Sequence, residues 1–94
     1  MLTLVIYDIT DDKSRTHLAN MLMRMGLERV QYSAFKGELN PNDRDVLSKR
    51  VERYVRDEND CVFVIPLCER CVSTATTVSS KKVSLLKDSS VDIV

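Results

Sequence analysis

The chain has no tryptophan, only two glycines and two prolines, and a single histidine among its 94 residues. So little glycine and proline excludes a low-complexity or disordered composition. It also leaves no glycine-rich loop of the kind that cradles phosphate groups. With one histidine, no Ser-His-Asp arrangement and no histidine-paired zinc site can be argued. The composition is that of an ordinary globular domain.

Neither sign of charge is in excess, because 14 Lys and Arg balance 14 Asp and Glu. Any binding to nucleic acid must therefore come from a local basic patch. No apolar run approaches the roughly 20 residues of a membrane-spanning helix, and the N-terminus lacks the basic leader of a signal peptide. Three cysteines, an odd number, fit a reducing compartment better than a disulfide framework. We expect a soluble, cytoplasmic protein without a membrane partner.

Residues 2–9, LTLVIYDI, form an apolar run that delivers one carboxylate, Asp8, near its end. Apolar residues on both faces predict a buried strand. An acid where such a strand emerges is a common position for a metal-binding or catalytic group, although a cap or solvated loop residue is the ordinary alternative. One carboxylate makes a poor magnesium site, but two copies of Asp8 meeting across a dimer twofold would remove that objection.

Two stretches predict helices. The first begins at residues 10–12, which offer several candidate N-caps, and ends at Gly26, where a left-handed residue is favoured. Its polar face between residues 13 and 25 is basic and free of acids. The second begins at Asn40-Pro41 and ends near residues 57–60. The apolar stripes of the two helices are Leu18, Met21, Leu22 and Met25, and Leu47, Val51, Tyr54 and Val55.

The remaining segments predict strands. Residues 28–39 alternate like a strand but are long for one, so a tight turn or a bulge near residues 31–33 would divide them, at a position that the sequence does not fix, with Gly37 a second candidate irregularity. Residues 61–66, CVFVIP, predict another buried strand. Beyond Cys71 the pattern weakens: residues 72–80 fit a strand or a loop, 81–86 a strand, and 91–94 a short tail strand.

This order of elements predicts an α+β fold, a ferredoxin-like βαββαβ sandwich with an antiparallel sheet and both helices on one face. The first and last core strands should then lie side by side at the centre of the sheet. We expect a single domain over residues 1–94, with a core of about 1–67 and a C-terminal tail of about 68–94.

Cys68-Glu69-Arg70-Cys71 is a single CxxC motif. A zinc site needs four ligands, and the chain has no second CxxC, so four thiolates would require two chains. A redox motif would sit at the start of a helix that follows a strand, a context that the sequence does not establish.

Three segments together resemble the Cas-two family, the small CRISPR-associated proteins of spacer acquisition, over roughly residues 1–68. They are Val5-Ile6-Tyr7-Asp8-Ile9, Asp12-x-x-Arg15, and Gly26-Leu27-x-Arg29-Val30-Gln31-x-Ser33-Ala34-Phe35-x-Gly37. The resemblance implies a homodimer in which the tail strand of each chain packs on the partner's sheet. It also implies a Mg²⁺-dependent nuclease, with Mn²⁺ as a substitute ion, acting on single-stranded RNA or duplex DNA. Family members further serve as the adaptor between dimers of the Cas-one integrase.

Carried over by position, Asp8 matches the metal-binding catalytic acid of that family. Residues matching the site or its support are Tyr7, Arg15, Arg29, Ser33 and Phe35. His17 stands where members often carry a second arginine on the first helix. Three hypotheses follow: a metal-dependent phosphodiesterase, a non-catalytic adaptor that binds duplex DNA and an integrase, and, without the resemblance, a ferredoxin-like regulatory module that binds a small ligand.

Overall fold

The computed structural model describes residues 1–80 and 90–93, and its main sheet has four strands. These are β1 (Leu2–Asp8), β2 (Glu28–Gln31), β3 (Ala34–Glu38) and β4 (Cys61–Leu67). They lie in the order β2-β3-β1-β4, and each neighbouring pair is antiparallel. With α1 (Asp12–Arg24) between β1 and β2, and α2 (Pro41–Val51) between β3 and β4, this is the predicted ferredoxin-like arrangement.

Helix α1 begins and ends as its sequence predicts. The carboxylate of Asp11 accepts a hydrogen bond of 2.8 Å from the Ser14 amide, which caps the N-terminus. At the other end Gly26 has a φ of 87°, and the amides of Gly26 and Leu27 donate to the carbonyls of Met23 and Leu22. This pair of bonds is a Schellman motif, which needs a left-handed residue where the glycine lies.

Helix α2 is capped by Asn40 as predicted, but it ends earlier than predicted. Its α-helical part stops at Val51, and a 3-10 turn, Glu52–Tyr54, follows. The carboxylate of Asp60 accepts the amides of Arg56 and Asp57, at 3.1 and 3.0 Å. These amides are therefore bound to a side chain instead of to helix carbonyls, which explains why the helix does not reach residues 57–60.

The β2–β3 connection is the predicted tight turn, at Tyr32 and Ser33. Gly37, a candidate irregularity, stays in register opposite Thr3, and the register shifts instead between Arg29 and Gln31. A Cβ at position 37 would lie 3.1 Å from the side chain of Leu27. Gly37 therefore lets Gly26 and Leu27 pack closely against β3, and it does not mark a bulge.

Both long helices pack on one face of the sheet, where they form a single core. Odd-numbered residues of β1, such as Val5 and Tyr7, are buried there, and Val62 and Val64 of β4 pack at its margin. Strand β4 is adjacent to β1 as predicted, but it lies at the edge of the described sheet, not at its centre. Its residues are only half-buried or exposed, which corrects the prediction of a buried strand. The cause is its edge position, because even Val62 and Val64, on the side of the helices, are only half-buried.

The tail contains a short helix that the sequence does not predict, α3 (Glu69–Thr74), followed by β5 (Thr76–Ser79). Strand β5 pairs in parallel with β6 (Ser90–Ile93), which matches the predicted tail strand to within one residue. The predicted strand at residues 81–86 lies outside the described residues. In the described part of the chain, no helix is long and apolar enough to cross a membrane.

Candidate functional site

Asp8 is the last residue of β1 and lies opposite Cys61 of β4. Its side chain is exposed, and within the described part of the chain its carboxylate takes part in no hydrogen bond or ion pair. Both oxygens are thus available to a cation. The described residues contain no group of three or more side chains that could hold a metal ion. In the described residues Asp8 thus belongs to no such group, and a cation bound there would need oxygens from water, a substrate or a second chain.

Three of the predicted site residues form a stack behind Asp8. The rings of Tyr7 and Phe35 are stacked with their centroids 6.2 Å apart, and both residues are buried. The guanidinium carbon of Arg29 lies 5.1 Å above the Phe35 ring, within the range of a cation–π contact. The Tyr7 hydroxyl is buried and has no hydrogen-bond partner among the described residues. The stack therefore connects the exposed Arg29 to the strand that carries Asp8.

Arg15 lies against the end of β1. One guanidinium nitrogen, Nη1, donates a 2.9 Å hydrogen bond to the carbonyl of Ile9, the residue after Asp8. The other nitrogen, Nη2, pairs with the carboxylate of Asp12, and this hydrogen bond raises the pKa of Arg15. The guanidinium also lies 5.9 Å from the ring of Tyr32. Arg15 is consequently a positioned cation, but Asp12 offsets part of its charge.

The other two predicted residues differ in their placement. Ser33 lies in the β2–β3 turn, and its carbonyl accepts a 3.0 Å hydrogen bond from the Tyr7 amide. Its support of the site therefore comes from the backbone. His17 is exposed on α1, two residues after Arg15. Two residues correspond to about 200° around a helix, so His17 points away from the side that carries Arg15. The structure does not bring His17 to this cluster.

Asp60 is a supporting residue that sequence reasoning missed. Besides the two amides that end α2, its carboxylate accepts a 2.8 Å hydrogen bond from the amide of Thr10. The amides of Asp57 and Thr10 lower the pKa of Asp60 to about 2. The loop that follows Asp8 is thereby tied to the loop that precedes β4. An aspartate between a helix and a strand is a turn signal that could have indicated this role.

The chain has clear relatives. The model of the family described as CRISPR associated protein Cas2 matches residues 1–75. The chain is 58% identical, over 94 residues and the full length of both proteins, to CRISPR-associated endoribonuclease Cas2 1 of Archaeoglobus fulgidus. It is 33% identical over 78 residues to a CRISPR-associated endonuclease Cas1/endonuclease Cas2 fusion of Thermoproteus tenax, which covers 83% of this chain and 30% of the fusion.

Among solved structures, a hypothetical protein from Thermus thermophilus superposes with a TM-score of 0.65 and 37% sequence identity. The match covers 71% of this chain and 80% of that protein. The core of the fold is thus shared with a crystal structure, and the family model spans most of the sequence. The chain belongs to the CRISPR-associated Cas2 family.

Proposed function

We propose that the protein is a Mg²⁺-dependent endonuclease that hydrolyses phosphodiester bonds, with Asp8 as the metal-binding catalytic residue. The observation that carries this proposal is the exposed Asp8 carboxylate, which has no partner among the described residues although it ends a rigid, largely buried strand. The name of the Archaeoglobus fulgidus relative, an endoribonuclease, supports the same activity. Single-stranded RNA is accordingly the first substrate to test, and duplex DNA is the second.

The active form that we propose is a homodimer. Side chains alternate along a strand, so Asp8 and Ile6 project from the face of the sheet opposite the helices. We call this surface the open face, and its exposed residues near Asp8 are Ile6 and Phe63. Ile6 and Phe63 are register partners and are 38% and 55% exposed. A second copy seated on this face would bury both and bring two Asp8 carboxylates together at a twofold axis.

The tail strand would complete such a dimer. Among the described strands β4 has a neighbour on one side only, so its outer edge offers backbone hydrogen bonds to a further strand. A cavity of about 530 Å³ beside this edge is lined in part by Val51, Val55, Val62 and Val64. Val78 of β5 is 64% exposed in the single chain. Seating the partner's β5 on the edge would cover apolar side chains of both chains.

The chemistry follows from the residues at the site. Mg²⁺ or Mn²⁺ bound by the two Asp8 carboxylates would supply a Lewis acid that activates water and stabilises charge on a phosphate. Arg15, bonded to the Ile9 carbonyl just after β1, and Arg29, exposed over the Phe35 ring, are suited to contact the backbone phosphates of a nucleic acid. Because the Tyr7–Phe35 pair is buried and stacked, it would hold Arg29 in place rather than contact the substrate.

A second role is supported by the fusion relative. In Thermoproteus tenax a Cas1 endonuclease and a Cas2 endonuclease are parts of one named protein. We propose that this chain likewise assembles with a separate Cas1 integrase, as an adaptor that holds duplex DNA. This role needs the shape of the dimer but no catalysis by Asp8, so the two functions can be separated experimentally.

The Asp8→Asn variant tests the proposed activity. It keeps the size of the side chain but removes the charge, and we expect cleavage of single-stranded RNA to fall at least about 100-fold, because one catalytic electrostatic contact contributes about 10²–10³ in rate. The measurement is cleavage of end-labelled RNA with and without Mg²⁺. Asp45→Asn, at an exposed position on α2, is the matched control and should cleave at the wild-type rate. Wild-type cleavage by the Asp8 variant would refute the nuclease assignment, whereas unchanged Cas1 binding by that variant would support the adaptor role.

A further inference from the structure

Cys68 and Cys71 form a pair of neighbouring thiols at the point where the sheet ends and the tail begins. Cys68 directly follows β4 and precedes the first residue of α3, while Cys71 lies within the first turn of that helix. Their sulfur atoms are 3.5 Å apart and share a hydrogen bond. Both side chains are exposed, so both thiols are accessible to a dissolved reagent.

The geometry is close to that of a disulfide. An S–S bond is about 2.05 Å long, so small rotations about the side-chain bonds would bring the two sulfurs into bonding distance. The third thiol is out of reach. Cys61 is half-buried and begins β4, the strand that Cys68 follows. A strand rises about 3.3 Å per residue, which places Cys61 roughly 20 Å from the pair. The fold therefore selects one pairing of the three cysteines.

The two thiols are chemically distinct. The side chain of Cys68 does not cap helix α3. The amide and the thiol of Cys71 lie close to it and lower the pKa of the Cys68 thiol. The same thiol–thiol hydrogen bond raises the pKa of Cys71. Cys68 is thus the more readily ionised sulfur, and the thiolate is the form that attacks a disulfide. No third side chain that could complete a metal site lies beside the pair in the described residues.

We propose that Cys68 and Cys71 are a redox-active dithiol whose substrate is a low-molecular-weight organic disulfide. The thiolate of Cys68 attacks one sulfur of the substrate, the substrate S–S bond breaks, and one thiolate leaves and takes up a proton. Cys71 then loses its proton and attacks the Cys68 sulfur, which releases the second thiolate. The protein loses two electrons and two protons, and the disulfide is reduced to two thiols. The product is a Cys68–Cys71 disulfide at the base of the tail.

The test is an anaerobic titration of the purified full chain with oxidised glutathione, followed by counting free thiols under denaturing conditions and by mass spectrometry. We expect the free thiols to fall from three to one, with no glutathione retained and no crosslinked dimer on a non-reducing gel. Cys61→Ser is the matched control and should still lose two thiols. Cys71→Ser should stop at a mixed disulfide that retains one glutathione on Cys68. Cys68→Ser should react more slowly at neutral pH.

Several outcomes would overturn the proposal. They are three free thiols in excess oxidised glutathione, a disulfide that contains Cys61, and a disulfide between two chains. Zinc that copurifies at one ion per two chains, and that protects the thiols, would assign the pair to a shared metal site instead. Because the wild-type thiol count needs no variant, a folding defect in a serine variant would leave the test intact. The site does not involve Asp8, so this result is independent of the nuclease assay.

Discussion

The two faces of β1 are built from alternate residues of the same strand, and beyond Leu4, which is buried, they differ in exposure and polarity. The helix-covered face carries Val5 and Tyr7, which are 0% and 3% exposed. The open face carries Ile6, which is 38% exposed, and Asp8, whose carboxylate has no partner among the described residues. The first face packs in the core of the chain itself. The second exposes an apolar surface and a charge, both of which are available to a partner outside the chain.

Strand β4 repeats this division. Val62 and Val64 pack against the core, while Phe63 between them is 55% exposed. Alternate apolar residues of one strand can therefore belong to two different packed regions. One is the core of the single chain, and the other is the interface that we propose between two copies. The two faces should respond differently to substitution, and the three predictions below are arranged from the largest expected effect to the smallest.

A pair of phenylalanine truncations contrasts the faces directly. Phe35→Ala removes a fully buried ring that contacts both Tyr7 and Arg29, so it should lower the free energy of unfolding by about 3–5 kcal/mol. Phe63→Ala removes an exposed ring and should cost much less when the protein is dilute. Chemical denaturation at several protein concentrations measures both. Equal losses at low concentration would show that the open face is already covered within one chain.

A charge on the open face tests the dimer. Ile6→Lys would place an ammonium group in the apolar part of the proposed interface, at a cost of about 3 kcal/mol, so the dimer should dissociate about 100-fold more readily. Sedimentation equilibrium measures the change. Met23→Lys replaces an apolar side chain that is 47% exposed on α1, and it should leave association unchanged. A dimer that persists in the first variant, or a wild-type protein that is monomeric, would remove the shared Asp8 site.

Acid should weaken the connection between the two loops at the end of β1. The pKa of Asp60 is lowered from 3.8 to about 2 in the folded chain, so between these values the unfolded chain binds more protons. Stability from Asp60 is thus present above the unfolded pKa and is lost as the pH falls through the folded one. Thermal unfolding from about pH 5 to pH 2 should show a smaller loss in Asp60→Asn than in the wild type. Parallel curves would mean that this carboxylate does not control the acid response.

Local signals predicted the elements whose ends are decided by neighbouring residues. Asp11 caps α1, Gly26 ends it, and Asn40 starts α2, each through contacts within a few residues. The turn at Tyr32 and Ser33 falls within the range that the sequence indicates, although the sequence did not fix its position. The positions and types of these residues were enough to predict the βαββαβ order, and hence the fold that the comparisons confirm.

The misplaced features are ones that the periodicity of apolar residues does not show. Helix α2 stops early because Asp60 binds two amides, which a helical stripe does not reveal. Strand β4 is exposed because it lies at the edge of the sheet. The segment that forms α3 has no apolar periodicity, so the sequence does not predict this helix. His17 lies away from Arg15 because two residues along a helix point in opposed directions. The catalytic roles of Asp8 and its neighbours stay predictions.

The sequence by itself determined which residues form helices and strands, which carboxylate ends the first strand, and which family the chain resembles, because short-range patterning and motif spacing encode these properties. Only the tertiary structure decided which face of that strand is covered, that Arg29 stacks on Phe35, and that Cys68 and Cys71 lie 3.5 Å apart after an edge strand. Coverage of the strand depends on helices that lie elsewhere in the sequence, whereas the Arg29–Phe35 and Cys68–Cys71 contacts depend on the β2–β3 register and on α3, which the sequence alone does not place.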